Sequence, residues 1–131
     1  MAKNASLDTN SLLRWALQDI PEQAEKVDVL LRKYDNLHVA DVAIIEMVSV
    51  LETLYKLPRK LVAEHIELVM SQSSINCNRA LFAHALVPYR QYPSLSIVDC
   101  CLASYAELDQ VEPLYTFDKS LAAKLPQVKL G

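Results

Sequence analysis

Four acidic residues stand out because of what surrounds them. Asp8 closes the stretch Ala5-Ser6-Leu7-Asp8, and Thr9, Asn10 and Ser11 follow before an apolar-periodic run of Leu12, Leu13, Ala16 and Leu17. That order reads as strand, sharp turn, helix, with the aspartate at the strand's carboxyl end, where open α/β sheets bind ligands. Asp118 repeats the arrangement directly after Leu114-Tyr115-Thr116-Phe117, a run of aromatic and β-branched residues. Glu46 is the single charge within Val42 to Leu51, and Asp99 stands alone among Ile97, Val98, Cys100, Cys101, Leu102 and Ala103. Each has a modest explanation. Asp8 and Asp118 can cap the helices that follow them. A carboxylate in a buried helix can meet an arginine or lysine, since unpaired it is costly. Taken together, two strand-end aspartates and two isolated helix carboxylates are better explained by convergence on a divalent cation, without which they would repel and partly protonate. With oxygen ligands alone the ion is a hard one, Mg2+ or Mn2+. Such an ion suits the activation of water against phosphate.

The elements that must position these acids can be read along the chain. Pro21 and Glu22 open a helix that runs to about Lys33, and Leu37-His38-Val39 is a short strand. Asp41 caps a helix from Val42 to about Tyr55; apolar nearly all round, this helix is expected to be buried. Pro58 starts another, with Leu61, Val62, Ile66, Val69 and Met70 on one face. Ser73 to Cys77 is a brief strand and Asn78 caps the next helix, which ends near Pro88, leaving Tyr89 to Ser94 as a loop. The helix Ser96 to Leu108, the strand Leu114 to Phe117, a short helix after Asp118 and a last strand at Val128-Lys129-Leu130 complete the chain. Strands alternating with helices call for a parallel sheet covered by helices on both faces, and residues 1–131 read as a single domain.

Composition narrows the chemistry. The only glycine is Gly131, which excludes the glycine-dependent phosphate loops of nucleotide-binding proteins. The formal net charge is −3, so nucleic-acid binding would have to rest on a local site. Cys77, Cys100 and Cys101 form a poor disulfide framework, and His38, His65 and His84 are scattered, which argues against zinc. No apolar run is long enough to span a membrane, and the N-terminus lacks a signal-peptide core; the expected location is cytoplasmic. Arg14, Arg79, Arg90 and Lys119 lie near element ends where they could meet phosphates, with Arg14 and Lys119 the two assigned to substrate. Trp15, Tyr89 and Tyr92 could stack unpaired bases, although helical spacing with Leu12 favours a core place for Trp15.

The chain resembles a PIN-domain ribonuclease of the VapC toxin type. The resemblance is carried by Leu7-Asp8-Thr9-Asn10 with Leu12-Leu13-Arg14, by Asp19 to Ala24, and by Glu46 in its apolar helix. It continues through Ser96-Ile97-Val98-Asp99 and Leu114 to Leu121, so it covers essentially the whole chain with the four acids in order. It implies a Rossmann-like three-layer sandwich with a parallel sheet in the order 3-2-1-4-5, and a metal-dependent endoribonuclease. Asp8, Glu46, Asp99 and Asp118 would then be the catalytic, metal-binding acids, supported by Asn10 and Thr116. Members of such a family are toxins of two-gene toxin–antitoxin pairs, often act on tRNA or rRNA, and form homodimers neutralised by a cognate antitoxin. Two features depart from the pattern. The first strand is polar (Lys3, Asn4, Ser6), and Ser94 and Ser96 stand where many relatives carry a further acid. Hydrolysis of this kind leaves a 5′-phosphate and a 3′-hydroxyl. A PIN-like nuclease of RNA maturation and a non-catalytic RNA- or protein-binding module are the alternatives.

Overall fold

The computed structural model describes residues 3–131. By internal contacts the chain divides into two units, Met1–Asn78 and Arg79–Gly131.

In the first unit three short strands, β1 (Asn4–Ser6), β2 (Asn36–His38) and β3 (Ile75–Asn76), pair in parallel in the order β1-β2-β3. Asn4 lies opposite Asn36, and Leu37 opposite Ile75. Because all three strands run the same way, their carboxyl ends share one edge, and a helix leaves that edge after each of the first two. Helix α1 (Thr9–Leu17) is capped by Asp8. Helix α2 (Pro21–Lys33) begins with proline at its first position, where the missing N–H is harmless, and ends with Arg32 and Lys33 against its carbonyl end. Helices α3 (Asp41–Thr53) and α4 (Arg59–Ser71) complete the unit. Leu12, Leu37, Ile44, Met47, Leu51, Val62 and Ile66 are fully buried. Helix α1 packs against α2, α3 and α4.

The second unit consists of α5 (Arg79–Gln91), α6 (Ile97–Leu108), β4 (Leu114–Thr116), α7 (Lys119–Lys124) and β5 (Val128–Leu130). β4 and β5 pair in parallel, Leu114 opposite Val128, with α7 as the crossover between them. Helices α5 and α6 pack closely, and Leu81, Phe82, Ala85 and Tyr89 on one and Cys100, Cys101 and Ala103 on the other are buried.

Three expectations need correction. The single sheet in the order 3-2-1-4-5 is replaced, among the described residues, by two separate parallel ladders, β1-β2-β3 and β4-β5. Neighbours within each ladder are as expected, β1 beside β2 beside β3 and β4 beside β5. Strands of two or three residues offer few ladder hydrogen bonds, and the polar Asn4-Ala5-Ser6 has no apolar run to lengthen it. Helix α3 is not buried all round: Val42, Glu46 and Ser49 form an exposed stripe. Its hydrophobic composition hid a solvent face, because Val42 is 74% exposed despite being apolar. Finally, α5 continues through Pro88 to Gln91, so Tyr89 is a buried helical residue and not part of a loop. Pro88 supplies no N–H to the carbonyl of His84, yet the apolar face on both sides of it keeps the helix in place.

With glycine confined to the last residue, the left-handed turns fall on Gln18 (φ 55°), Lys56 (φ 53°) and Gln110 (φ 58°). The three cysteines are unbridged, with Cys100 and Cys101 buried. No helix among the described residues is long and apolar enough to cross a membrane.

Candidate active site

Asp8 stands just past the carboxyl end of β1, and its Oδ1 accepts the backbone N–H of Ser11 at 2.8 Å. That N–H, first among the causes, holds the Asp8 carboxyl below the usual carboxylate range. The folded carboxyl is therefore the stronger acid. Its contribution to stability is present above the unfolded-state value and is lost as pH falls through the folded-state value. Urea titrations of the wild type and Asp8→Asn should run parallel near neutrality. They should converge below about pH 4, where the ordinary aspartate range lies. The carboxyl is exposed, so the effect is small.

Asp118 occupies the equivalent position after β4. Its Oδ1 accepts two N–H groups, from Ser120 at 2.9 Å and Leu121 at 3.1 Å. The Asp118 backbone N–H donates in turn to Thr116 Oγ1 at 3.0 Å, so the threonine fixes the turn that presents the aspartate. Asp99 lies in the first turn of α6, where Ser96 Oγ accepts its backbone N–H at 3.0 Å. It is thus not a helix-interior carboxylate in an apolar shell. It is half-buried at a helix N-terminus, which favours negative charge. Glu46 projects from the exposed stripe of α3. Neither Glu46 nor Asp99 forms an ion pair among the described residues, unlike Asp19 with Arg14 and Glu25 with Arg32. The buried ion-pair explanation for these two acids accordingly falls away.

The two serines that depart from the expected pattern both have work. Ser96 caps α6, and Ser94 Oγ lies 3.4 Å from Ser120 Oγ, tying the start of α6 to the start of α7. Lys124 Nζ donates to the same Ser120 hydroxyl at 2.9 Å. Asp99 and Asp118 therefore sit on helix starts that one hydrogen bond joins. In the first unit, Asp8 begins α1 and Glu46 belongs to α3, which packs on α1. Within either unit taken alone, no three His, Cys, Asp or Glu residues among those described are grouped to hold a metal ion. All four acids nonetheless suit a hard cation as donors. Asp8 and Asp118 each use one oxygen as a cap, and among the described residues no hydrogen bond occupies the other.

Two features of the first unit's edge escaped the sequence reading. Asp41 follows β2 as Asp8 follows β1, and it accepts a hydrogen bond from Asn78 Nδ2, just past β3, at 3.3 Å. A polar residue two or three positions beyond every strand of this ladder was the available signal. Asp41 itself is the first residue of α3, whose cap position is held by Ala40. The second feature is Arg14. Its Nη1 pairs with Asp19 at 2.9 Å and its Nη2 donates to Tyr55 Oη at 3.0 Å. The Tyr55 hydroxyl, with the Asp19 charge, raises the guanidinium pKa further. Arg14 is therefore half-buried and clamped. Of the other substrate candidates, Lys119 is exposed at the start of α7, Tyr89 is fully buried and cannot stack a base, and Trp15 is a core residue whose Nε1 donates to Asp28 at 3.0 Å. Asn10 is exposed on the first turn of α1.

A cavity of about 500 Å³ lies in the second unit, between α5, α6 and the end of α7, and none of the four acids lines it. A smaller cleft, about 320 Å³, lies between α1 and α2 beside Ser11.

Parallel strand–helix units that carry aspartates at strand ends define an α/β protein of the kind that acts at its sheet's carboxyl edge. Residues 5–124 match the PIN domain family, and the chain belongs to it. PIN domains are in general nucleases. No curated protein matches the chain in sequence. Among solved structures, a chain described as "Toxin-antitoxin complex from Klebsiella pneumoniae" is similar at 15% identity, covering 97% of this chain and 96% of that one with a TM-score of 0.36. A likeness at that score is too distant to bear on function.

Proposed function

We propose that this PIN domain is an endoribonuclease dependent on Mg2+ or Mn2+, and that it acts as the toxin of a toxin–antitoxin pair. The observation that carries the reading is that Glu46 and Asp99 form no ion pair among the described residues, while Asp8 and Asp118 each retain an oxygen beyond their capping bonds. Four carboxylates prepared in this way are costly to bring together unless a cation joins them. Asp8, Glu46, Asp99 and Asp118 would hold the ion. When bound it would supply the positive charge that hydrolysis of a phosphodiester requires.

The chain's own residues have separate roles. The Ser11 N–H lowers the Asp8 pKa and holds its carboxylate in place; the Ser120 and Leu121 N–H groups hold the Asp118 carboxylate in place. Thr116 orients the backbone that carries Asp118. The Ser94–Ser120 contact keeps the helix starts bearing Asp99 and Asp118 in register. Lys119, exposed next to Asp118, would meet a phosphate of the strand. The products would carry 5′-phosphate and 3′-hydroxyl ends. The further parts of the proposal are a tRNA or rRNA target, a cognate antitoxin protein, a homodimer and a cytoplasmic location.

The test is incubation of the purified protein with total RNA in Mg2+ or in EDTA, beside Asp8→Asn and Asp99→Asn. Cleavage is expected in the wild-type sample with Mg2+ alone. Equal cleavage in all samples would remove the enzymatic reading.

A further inference from the structure

The cleft between α1 and α2 is lined by Asn10, Ser11 and Arg14 from one helix and by Gln23, Lys26, Val27 and Leu30 from the other. These are successive positions on one face of each helix, at i, i+1, i+4 and at i, i+3, i+4, i+7. Val27 and Leu30 form an apolar base, and every other lining residue can donate a hydrogen bond. The cleft begins at the residue that Asp8 caps, since Ser11 both binds Asp8 through its N–H and lines the cavity. Its volume, about 320 Å³, falls at the small end of the range for ligand clefts, roughly 300–1,000 Å³.

The charges around it are sorted by the fold. Arg14 is tied to Asp19, so this pair contributes little net field. On α2, Glu25 pairs with Arg32 at 3.5 Å and Asp28 accepts from Trp15; Glu22, exposed in the first turn one turn before Lys26, is the remaining acid and does not line the cleft. Lys26 has neither ion pair nor hydrogen bond among the described residues, and it is the cation of this face. The Arg14 Nε–H is buried with no hydrogen-bond partner, an unmet donor on the cleft wall. In a chain of net charge −3, a donor-rich cleft that holds an unpaired lysine and reaches the residue bound by Asp8 is a local exception.

We propose that the α1/α2 cleft binds one sugar–phosphate unit of a single RNA strand beside Asp8. In this subsite Lys26 supplies the charge, and Asn10, Ser11 and Gln23 supply the hydrogen bonds. The proposal rests on the nuclease reading and adds to it the place where the strand is gripped outside the acids. Arg14 is a positioning residue: clamped by Asp19 and Tyr55, it holds the wall of the cleft in place.

The experiment is fluorescence anisotropy of a short labelled single-stranded RNA, in EDTA so that nothing is cut, over a series of salt concentrations. Wild type, Lys26→Gln, Lys26→Arg, Gln23→Ala and, as a control on α4, Lys60→Gln are compared after their melting curves are shown to match. Lys26→Gln is expected to weaken binding about 3- to 10-fold at low salt. It should also lower the slope of log K against log salt by about 0.7, the value for one single-strand phosphate. Lys26→Arg should retain the slope, Gln23→Ala should weaken binding without altering it, and Lys60→Gln should leave both unchanged. Wild-type affinity and slope for Lys26→Gln would overturn the subsite, as would a loss equal to that of Lys60→Gln. Cleavage in Mg2+ is read separately. RNA that is bound but never cut would sink the nuclease reading alone, whereas RNA cut normally by Lys26→Gln with an unchanged slope would sink the subsite alone.

Discussion

Asp8→Asn should lose RNA cleavage while keeping the fold. The substitution removes one negative charge and leaves a side-chain oxygen in place to accept the Ser11 N–H, now held at 2.8 Å. Asparagine and aspartate are equally good helix caps, so at neutral pH the unfolding midpoint should fall only by the small part that the exposed Asp8 charge contributes. The rate of cleavage, by contrast, should fall by roughly 10²- to 10⁴-fold, the range for removing a group that acts on the reacting atoms. Asp8→Ala is the informative companion. It removes both the charge and the cap, and should cost a further 0.5–2 kcal/mol or about that in stability. Activity lost equally in both variants, with stability lost only in the alanine variant, separates chemistry from capping. If Asp8→Asn cleaves RNA at the wild-type rate, the charge at this strand end has no part in the reaction. The bland reading of Asp8 as a helix cap would then stand alone.

Phe82→Ala is the substitution expected to cost most in stability. Phe82 is fully buried on the face of α5 that also carries Leu81, Ala85 and Tyr89, and α5 packs closely on α6. Truncating a phenylalanine in such a place costs about 3–5 kcal/mol, from lost burial and from the cavity left behind. A domain's total stability is only about 5–15 kcal/mol, so a large fraction would go. Urea unfolding followed by far-ultraviolet circular dichroism measures it. A loss under about 1 kcal/mol would mean that the α5/α6 packing relaxes around the gap and is looser than its burial implies.

The four acids drew attention in the sequence for unequal reasons. Asp8 and Asp118 carry a local signal, a strand-forming run before and an apolar-periodic run after, and the structure places each as the N-cap of the following helix. Glu46 and Asp99 drew attention through a different argument, that each was a charge in a buried helix, and that argument was mistaken for both. An apolar sequence does not say how much of a helix is covered, and the exposed Val42 shows how far composition misleads in α3. The helix start at Ser96 was read correctly, but Asp99 was treated as a helix-interior acid although it lies in the first turn, where negative charge is favourable. The Arg14 clamp joins residues 14, 19 and 55, and no pattern along the chain announces a contact over that separation.

The sequence by itself determined the alternation of strands and helices, the strand-end aspartates and the exclusion of glycine-dependent phosphate loops, because hydrophobic period, capping chemistry and glycine count are local properties. Tertiary structure decided the rest. It split the strands into two ladders, turned Glu46 to the surface, buried Tyr89 and tied Arg14 to Asp19 and Tyr55. Each of these depends on which surfaces meet, and that is set by packing between segments far apart in the chain.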